Sequence, residues 1–199
     1  AAEIHGGTLV VCQPAETPGL DPTGNTAAAI DRVVYANIFE GLIKVDRGGN
    51  FVPGLAGAWS VSSDGLTYTF ELHRNVTFHN GETFNASVAR WNLERSMSEK
   101  TINPHPEYFR GIQHIEILDD YTLKIVLQEV DALFIAHLAE GDAVMLPMKG
   151  FETVKSNPIG TGPYIPTAYE VGVRAVLEKN TNHRWWNEGN GAWLDRVVF

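Results

Sequence analysis

The 199 residues carry a formal net charge of −9 with 44% hydrophobic and 20% charged residues, the balance of a folded globular protein and not of a disordered one. The acidic balance excludes a basic nucleic-acid footprint and disfavours contact with anionic membrane surfaces. No apolar run approaches the roughly 18 residues of a membrane helix, and the single cysteine, Cys12, permits no internal disulfide.

Taken in chain order, residues 8–12 read as a short buried strand, with Leu9, Val10 and Val11 making Cys12 an inert strand thiol. A loop with Pro14, Pro18, Gly19, Pro22 and Gly24 follows. Ile30, Val34, Ile38 and Leu42 recur four apart beside Val33, which predicts a helix over about 26–42, capped by Asn25 or Thr26 and with Gly41 near its end. Residues 46–50 form a turn. Residues 59–62 and 66–72 predict a hairpin around Ser63-Asp64-Gly65. Its second arm alternates Leu66, Tyr68, Phe70 and Leu72 against Thr67, Thr69 and Glu71. Residues 76–79 read as a strand before the Asn80-Gly81 turn, and Asn85 caps a helix over about 86–96. A second hairpin covers 112–118 and 121–127, turning at Asp119-Asp120, and 132–139 looks helical.

Pro158-Ile159-Gly160-Thr161-Gly162-Pro163-Tyr164 holds two glycines and two prolines in seven residues and predicts a rigid corner feeding a strand at Tyr164. A third hairpin follows over 164–169 and 174–179, and 194–199 is strand-like. The sum is an α+β or mixed α/β fold rich in antiparallel pairs. By this reading the chain stops in mid-strand, which suggests one lobe of something larger.

Few residues carry the spacing of a chemical site. None of the seven histidines forms a His-x-x-x-His or His-Glu-x-x-His pair, so no metal is implied. There is no Gly-x-Ser-x-Gly elbow and no Walker-type phosphate loop. Gly160-Thr161-Gly162 lacks the third glycine and the helix of a dinucleotide loop. The aromatics Tyr108, Phe109, Trp185, Trp186 and Trp193 sit in loop-like stretches, where they either line a cleft or pack across a lobe.

Several segments share an order. Residues 35–42 (YANIFEGL) are followed by Pro53-Gly54-Leu55-Ala56 and Trp59, then by 63–70 (SDGLTYTF) with Leu72. Residues 76–86 (VTFHNGETFNA) and 91–95 (WNLER) come next, and the 159–164 corner and 194–199 (LDRVVF) close the series. This order and spacing resembles the extracellular solute-binding proteins of family 5, the dipeptide-, oligopeptide- and nickel-binding components of bacterial ABC importers. The resemblance covers nearly the whole chain. It implies a periplasmic-binding-protein fold of type II and a non-enzymatic, cofactor-free, periplasmic protein, monomeric at full length. Its partners would be a peptide or other small solute and an inner-membrane ABC permease. Ala1-Ala2-Glu3 fits what remains after a signal peptide is cleaved.

The resemblance further implies that the chain is the first lobe only, with about 1–45 and 160–199 forming the cleft-side core and about 46–159 an inserted subdomain; the second lobe is absent. Ligand contacts carry over to Thr23, Asn25 and Thr26 in the loop after the first strand, to Tyr108 and Phe109, and to Asp142 and Met145. Asp142 departs from the small-apolar-Pro pattern usual there; it either favours a cationic group or belongs to a surface turn. Nickel chelates, haem, opines and oligosaccharides are alternative cargoes, and a hydrolase or transferase with an unrecognised site is the reading from another class.

Overall fold

The computed structural model describes residues 6–25, 27–98, 103–183 and 192–199. In chain order its elements are β1 (Thr8–Val10), α1 (Ala28–Val34), β2 (Ile43–Val45), β3 (Phe51–Pro53), β4 (Ala56–Val61), β5 (Thr67–Leu72) and α2 (Ala86–Met97). The one-turn α3 (Glu107–Arg110), β6 (Ile112–Asp119), β7 (Thr122–Leu127), one-turn α4 (Phe134–His137), β8 (Tyr164–Glu170), β9 (Arg174–Lys179) and β10 (Arg196–Val198) complete them.

Two four-stranded sheets organise the chain. One is antiparallel throughout in the order β4-β5-β7-β6. The other has the order β1-β10-β9-β8, with β1 parallel to β10 and the remaining pairs antiparallel. Period-two alternation produces the buried face of the first sheet. Tyr68, Phe70 and Leu72 of β5 and Leu123, Ile125 and Leu127 of β7 all point inward, while Glu71 is exposed. α2 lies over this face through Val88, Ala89 and Leu93 in the same apolar cluster. Its start is fixed by Asn85, whose Oδ1 accepts a hydrogen bond from Val88 N at 3.1 Å. A second cluster gathers Leu20, Ile30, Val33, Val34, Ile38 and Phe39 with Val144, Leu146, Tyr164, Ala175, Leu177 and Val197.

The three predicted hairpins form. The helix predicted over 26–42 does not: α1 ends at Val34. Ala36 takes a positive φ of 58°, and the N–H groups of Asn37, Ile38 and Phe39 all turn back onto Val34 O. Ile38 and Leu42 are nonetheless fully buried, so a four-residue apolar spacing is met here by non-helical backbone. The corner over 158–164 explains why. Tyr164 N donates to Asn37 O and Gly162 N to Ile38 O, both at 2.9 Å, claiming carbonyls that a helix would use. A Cβ on Gly160 or Gly162 would collide with the carbonyl oxygens of Ile38 and Asn37, so only glycine lets the two backbones meet.

Three smaller expectations also change. β1 and Cys12 are exposed, not buried: among the described residues β1 is an edge strand paired to β10 alone, with Leu9 and Val10 open to solvent. Residues 76–79 form no strand beyond the single bridge Thr77 to Thr83. The helix expected over 132–139 is the one turn of α4. Conversely, β2 and β3 flank the 46–50 turn as a short hairpin where only a turn was expected.

Candidate ligand-facing site

The site is built where the start of the chain meets residues 139–146. Asp21 Oδ1 accepts from both the N–H and the hydroxyl of Thr23, at 2.9 and 2.7 Å, closing a tight helical turn over Pro22–Gly24. A second such turn, Gly141–Ala143, packs directly against it. The strand-like run after that turn is clamped on two sides. Gly41 bridges Val144, and Met145 N donates to Glu40 O at 2.9 Å. On the other side Asn92, buried in α2, donates from Nδ2 to Leu146 O and accepts at Oδ1 from Leu146 N, each at 2.9 Å. Gly141 admits the Asp31 side chain against its own Cα, where a Cβ would collide with Asp31 Oδ1.

The two turns bring Thr23 and Asp142 together, Met145 follows on the clamped run, and all three are buried. Met145 is 1% exposed and belongs to the first apolar cluster. Asn25 is exposed and spends its Oδ1 on Ala27 N at 2.9 Å. Thr26 lies outside the described residues, as do Trp185 and Trp186. Phe109 is fully buried in the core beside α2, with no surface for a ligand in this lobe. Tyr108 is half-buried and held as a slab, stacked between His105 at 4.7 Å and His137 at 4.0 Å.

The electrostatics of this region are anionic. Burial pushes the Asp142 carboxyl up to about 6; its own N–H and His105 oppose the rise, and Glu140 and Asp31 add to it. Burial and then Glu140 raise the Asp31 carboxyl. Burial, with Glu140, Asp31 and Glu40 adding to it, pushes the Tyr35 phenol up to about 12; its hydroxyl donates to Ala139 O at 2.7 Å. Burial, then Asp142, Glu140 and Glu107, raises the Tyr108 phenol. Asp31 and Glu140 carried no signal in the sequence, and Tyr35 figured only in the 35–42 run, because the residues they join lie about a hundred positions apart.

Thr23 also lines an open cleft of about 640 Å³, with Asp21, Gly24, Trp91, Arg95, Phe151 and Lys155 among its other walls. Trp91 meets Phe151 edge to face at 5.1 Å, and Arg95 Cζ lies 5.8 Å from the Trp91 ring centre. Among the described residues no cluster of His, Cys, Asp and Glu converges to hold a metal ion.

The described residues thus place an open cleft and an acidic pair of turns around Thr23 on a mixed α/β scaffold of two four-stranded sheets. Residues 50–199 match the family described as bacterial extracellular solute-binding proteins, family 5, and the chain belongs to that family. It is similar to di/tripeptide-binding protein 1 of Pseudomonas aeruginosa, with 32% identity over 91% of this chain and 39% of that protein. Among solved structures it resembles the periplasmic binding protein DppA from Helicobacter pylori in complex with the peptide STSA, at a TM-score of 0.85 and 28% identity. That match covers 98% of this chain and 43% of the other. It also resembles the binding protein AgaA of A. tumefaciens in complex with agropinic acid, at a TM-score of 0.88 and 26% identity over 97% of this chain and 39% of that one. The chain thus spans about two-fifths of the length of the relatives it matches.

Proposed function

We propose that these residues form the first lobe of a two-lobed periplasmic protein that captures peptides and hands them to an ABC permease. The lobe has no catalytic role. The observation that carries this reading is the family match over residues 50–199, joined by relatives whose names or bound ligands are short peptides. Within the lobe, about 1–45 and 160–199 supply the cleft-side core and about 46–159 an inserted subdomain. Thr23, Asn25, Thr26, Tyr108 and Asp142 border the cleft, and Phe109 and Met145 support it from behind. Capture follows from differential affinity: a ligand bridging two lobes binds the closed form more tightly and so populates it.

Titration calorimetry of the full-length protein against di-, tri- and tetrapeptides tests the reading. Micromolar or tighter affinity for at least one length supports it, and uniform failure to bind, with tight binding of an opine instead, replaces peptide by the cargo class seen in AgaA. Native mass spectrometry of the protein as purified gives an independent answer by weighing any retained solute.

A further inference from the structure

Three separate pieces of chain hold the open cleft beside α2. One wall is α2 itself, through Trp91 and Arg95. A second is the tight turn Phe151–Thr153 with Val154 and Lys155, which the chain enters through Gly150 at a positive φ of 86°. The third is the Asp21 to Gly24 turn, tied to the second where Leu20 N donates to Lys155 O at 3.2 Å. Of the described residues proposed above to border the peptide, Thr23 alone lines this space.

Arg95 is the residue of this cleft that the fold does not explain. It is half-buried, and its Nε is sealed from solvent with no hydrogen-bond partner. Among the described residues its side chain makes no hydrogen bond and no ion pair. The Trp91 ring, 5.8 Å from Cζ, offers a π face and takes up none of its N–H donors. A buried donor without an acceptor is unfavourable, and natural folds keep one only where something offsets it. The nearby anions do not supply the acceptor. Asp21 opposes the fall in the Arg95 pKa that burial causes, but its Oδ1 is held by Thr23. Glu94 is paired with Arg90 at 2.6 Å. Lys155 is exposed and is a second cation without an ion pair among the described residues.

We propose that this cleft binds a small monocarboxylate with an apolar aromatic body. Arg95 takes the carboxylate, Lys155 adds positive field, and Trp91, Phe151 and Val154 hold the body. The inference goes beyond peptide capture and does not rest on it. A carboxylate suits the planar guanidinium because it accepts two parallel N–H bonds from one fork. A phosphate suits the cleft less well: Asp21, Glu94 and Glu152 also line it, and a dianion would feel three carboxylates. The apolar body is needed because a bare carboxylate leaves Trp91, Phe151 and Val154 uncovered and gains nothing from their burial.

Calorimetric titration of the full-length protein at pH 7.5 with 3-phenylpropionate, 3-phenylpropionamide, acetate and phenyl phosphate tests the site. 3-Phenylpropionate is expected to bind at least about tenfold tighter than each of the other three. Arg95→Gln should shrink its advantage over the amide to under about threefold, and Lys155→Gln, at an exposed position, should reduce it partly. NMR locates the bound probe: the assigned indole N–H of Trp91 should shift when 3-phenylpropionate is added. That readout uses the unmodified protein and so stands even where Arg95→Gln fails to fold.

No binding of 3-phenylpropionate, equal binding of acid and amide, or tighter binding of phenyl phosphate overturns the site. A preference that Arg95→Gln leaves intact, or an unmoved Trp91 signal, does the same. The peptide reading is judged by its own titrations and is untouched by any of these outcomes.

Discussion

Gly160 and Gly162 act through the atom they lack. Each faces a main-chain carbonyl that cannot swing aside as a side chain would, so adding a methyl group requires the 37–39 segment to shift. Gly160→Ala is expected to destabilise the fold by roughly 2–3 kcal/mol in urea unfolding. Gly111→Ala, where nothing lies within 4 Å and φ is −68°, should be neutral to within about 0.5 kcal/mol.

Two titrating residues give opposite signs. The His79 ring accepts from Gly160 N at Nδ1, 3.3 Å, and its Nε2 lies 3.0 Å from Gly162 O, an arrangement that suits only the neutral ring. Burial, with His183 adding to it, lowers its pKa to about 4, against the pull of the Gly162 hydrogen bond. The unfolded chain therefore binds the proton more readily between about 6.5 and 4, and stability is lost as pH falls through that window. NMR titration should show His79 uncharged down to about pH 5. Asp142 runs the other way: its folded pKa of about 6 lies above the ordinary 3.8, so stability falls as pH rises from about 4 to 6. Asp142→Asn should thus stabilise the protein by about 1–3 kcal/mol at pH 7 and by little below pH 4. That gain would mark a residue kept at the expense of stability. Equal stability of the two proteins at pH 7 would count against it.

At the scale of elements, local chemistry was readable and long-range competition was not. The hairpins declare themselves by alternation and turn residues, and Asn85 announces α2 by its position before an apolar run. The register of β7 against β5 joins two hairpins into one sheet and leaves no local trace. The helix reading over 26–42 failed for a related reason: its decisive partners, Gly162 and Tyr164, lie in the distant glycine corner. The site was legible to the same degree. The resemblance implies Thr23 and Asp142 one at a time and says nothing of the contact between their two turns, or of Asp31 against Gly141; Asn92 clamps the run that follows the second turn. That side chain holds both polar groups of Leu146 from inside α2. Asn92→Ala leaves a buried N–H and a buried C=O to find other partners, a loss of roughly 2–4 kcal/mol. At least tenfold weaker peptide binding by the full-length variant, with α2 intact by circular dichroism, would show that α2 positions the run over 144–146. An unchanged unfolding midpoint would show that the clamp contributes nothing.

For the whole molecule, the question is what a single lobe can do. In the proposed reading Asp142, Tyr108 and the residues beside Thr23 border one wall of the site, and a peptide bound to this lobe alone would meet solvent on every side that the wall leaves open. Association costs several kcal/mol in lost translational and rotational freedom before any contact is counted, so half a contact surface leaves little net affinity. In the two-lobed reading, closure supplies both the missing contacts and the exclusion of water that strengthens the acidic corner. The 199 residues alone are therefore expected to bind di- and tripeptides no better than millimolar, while the full-length protein binds in the micromolar range or tighter. Calorimetry on both proteins, with small-angle scattering of the longer one to follow compaction on ligand addition, makes the comparison. Micromolar binding by the 199 residues would mean that the lobe holds a complete site and that capture does not require closure.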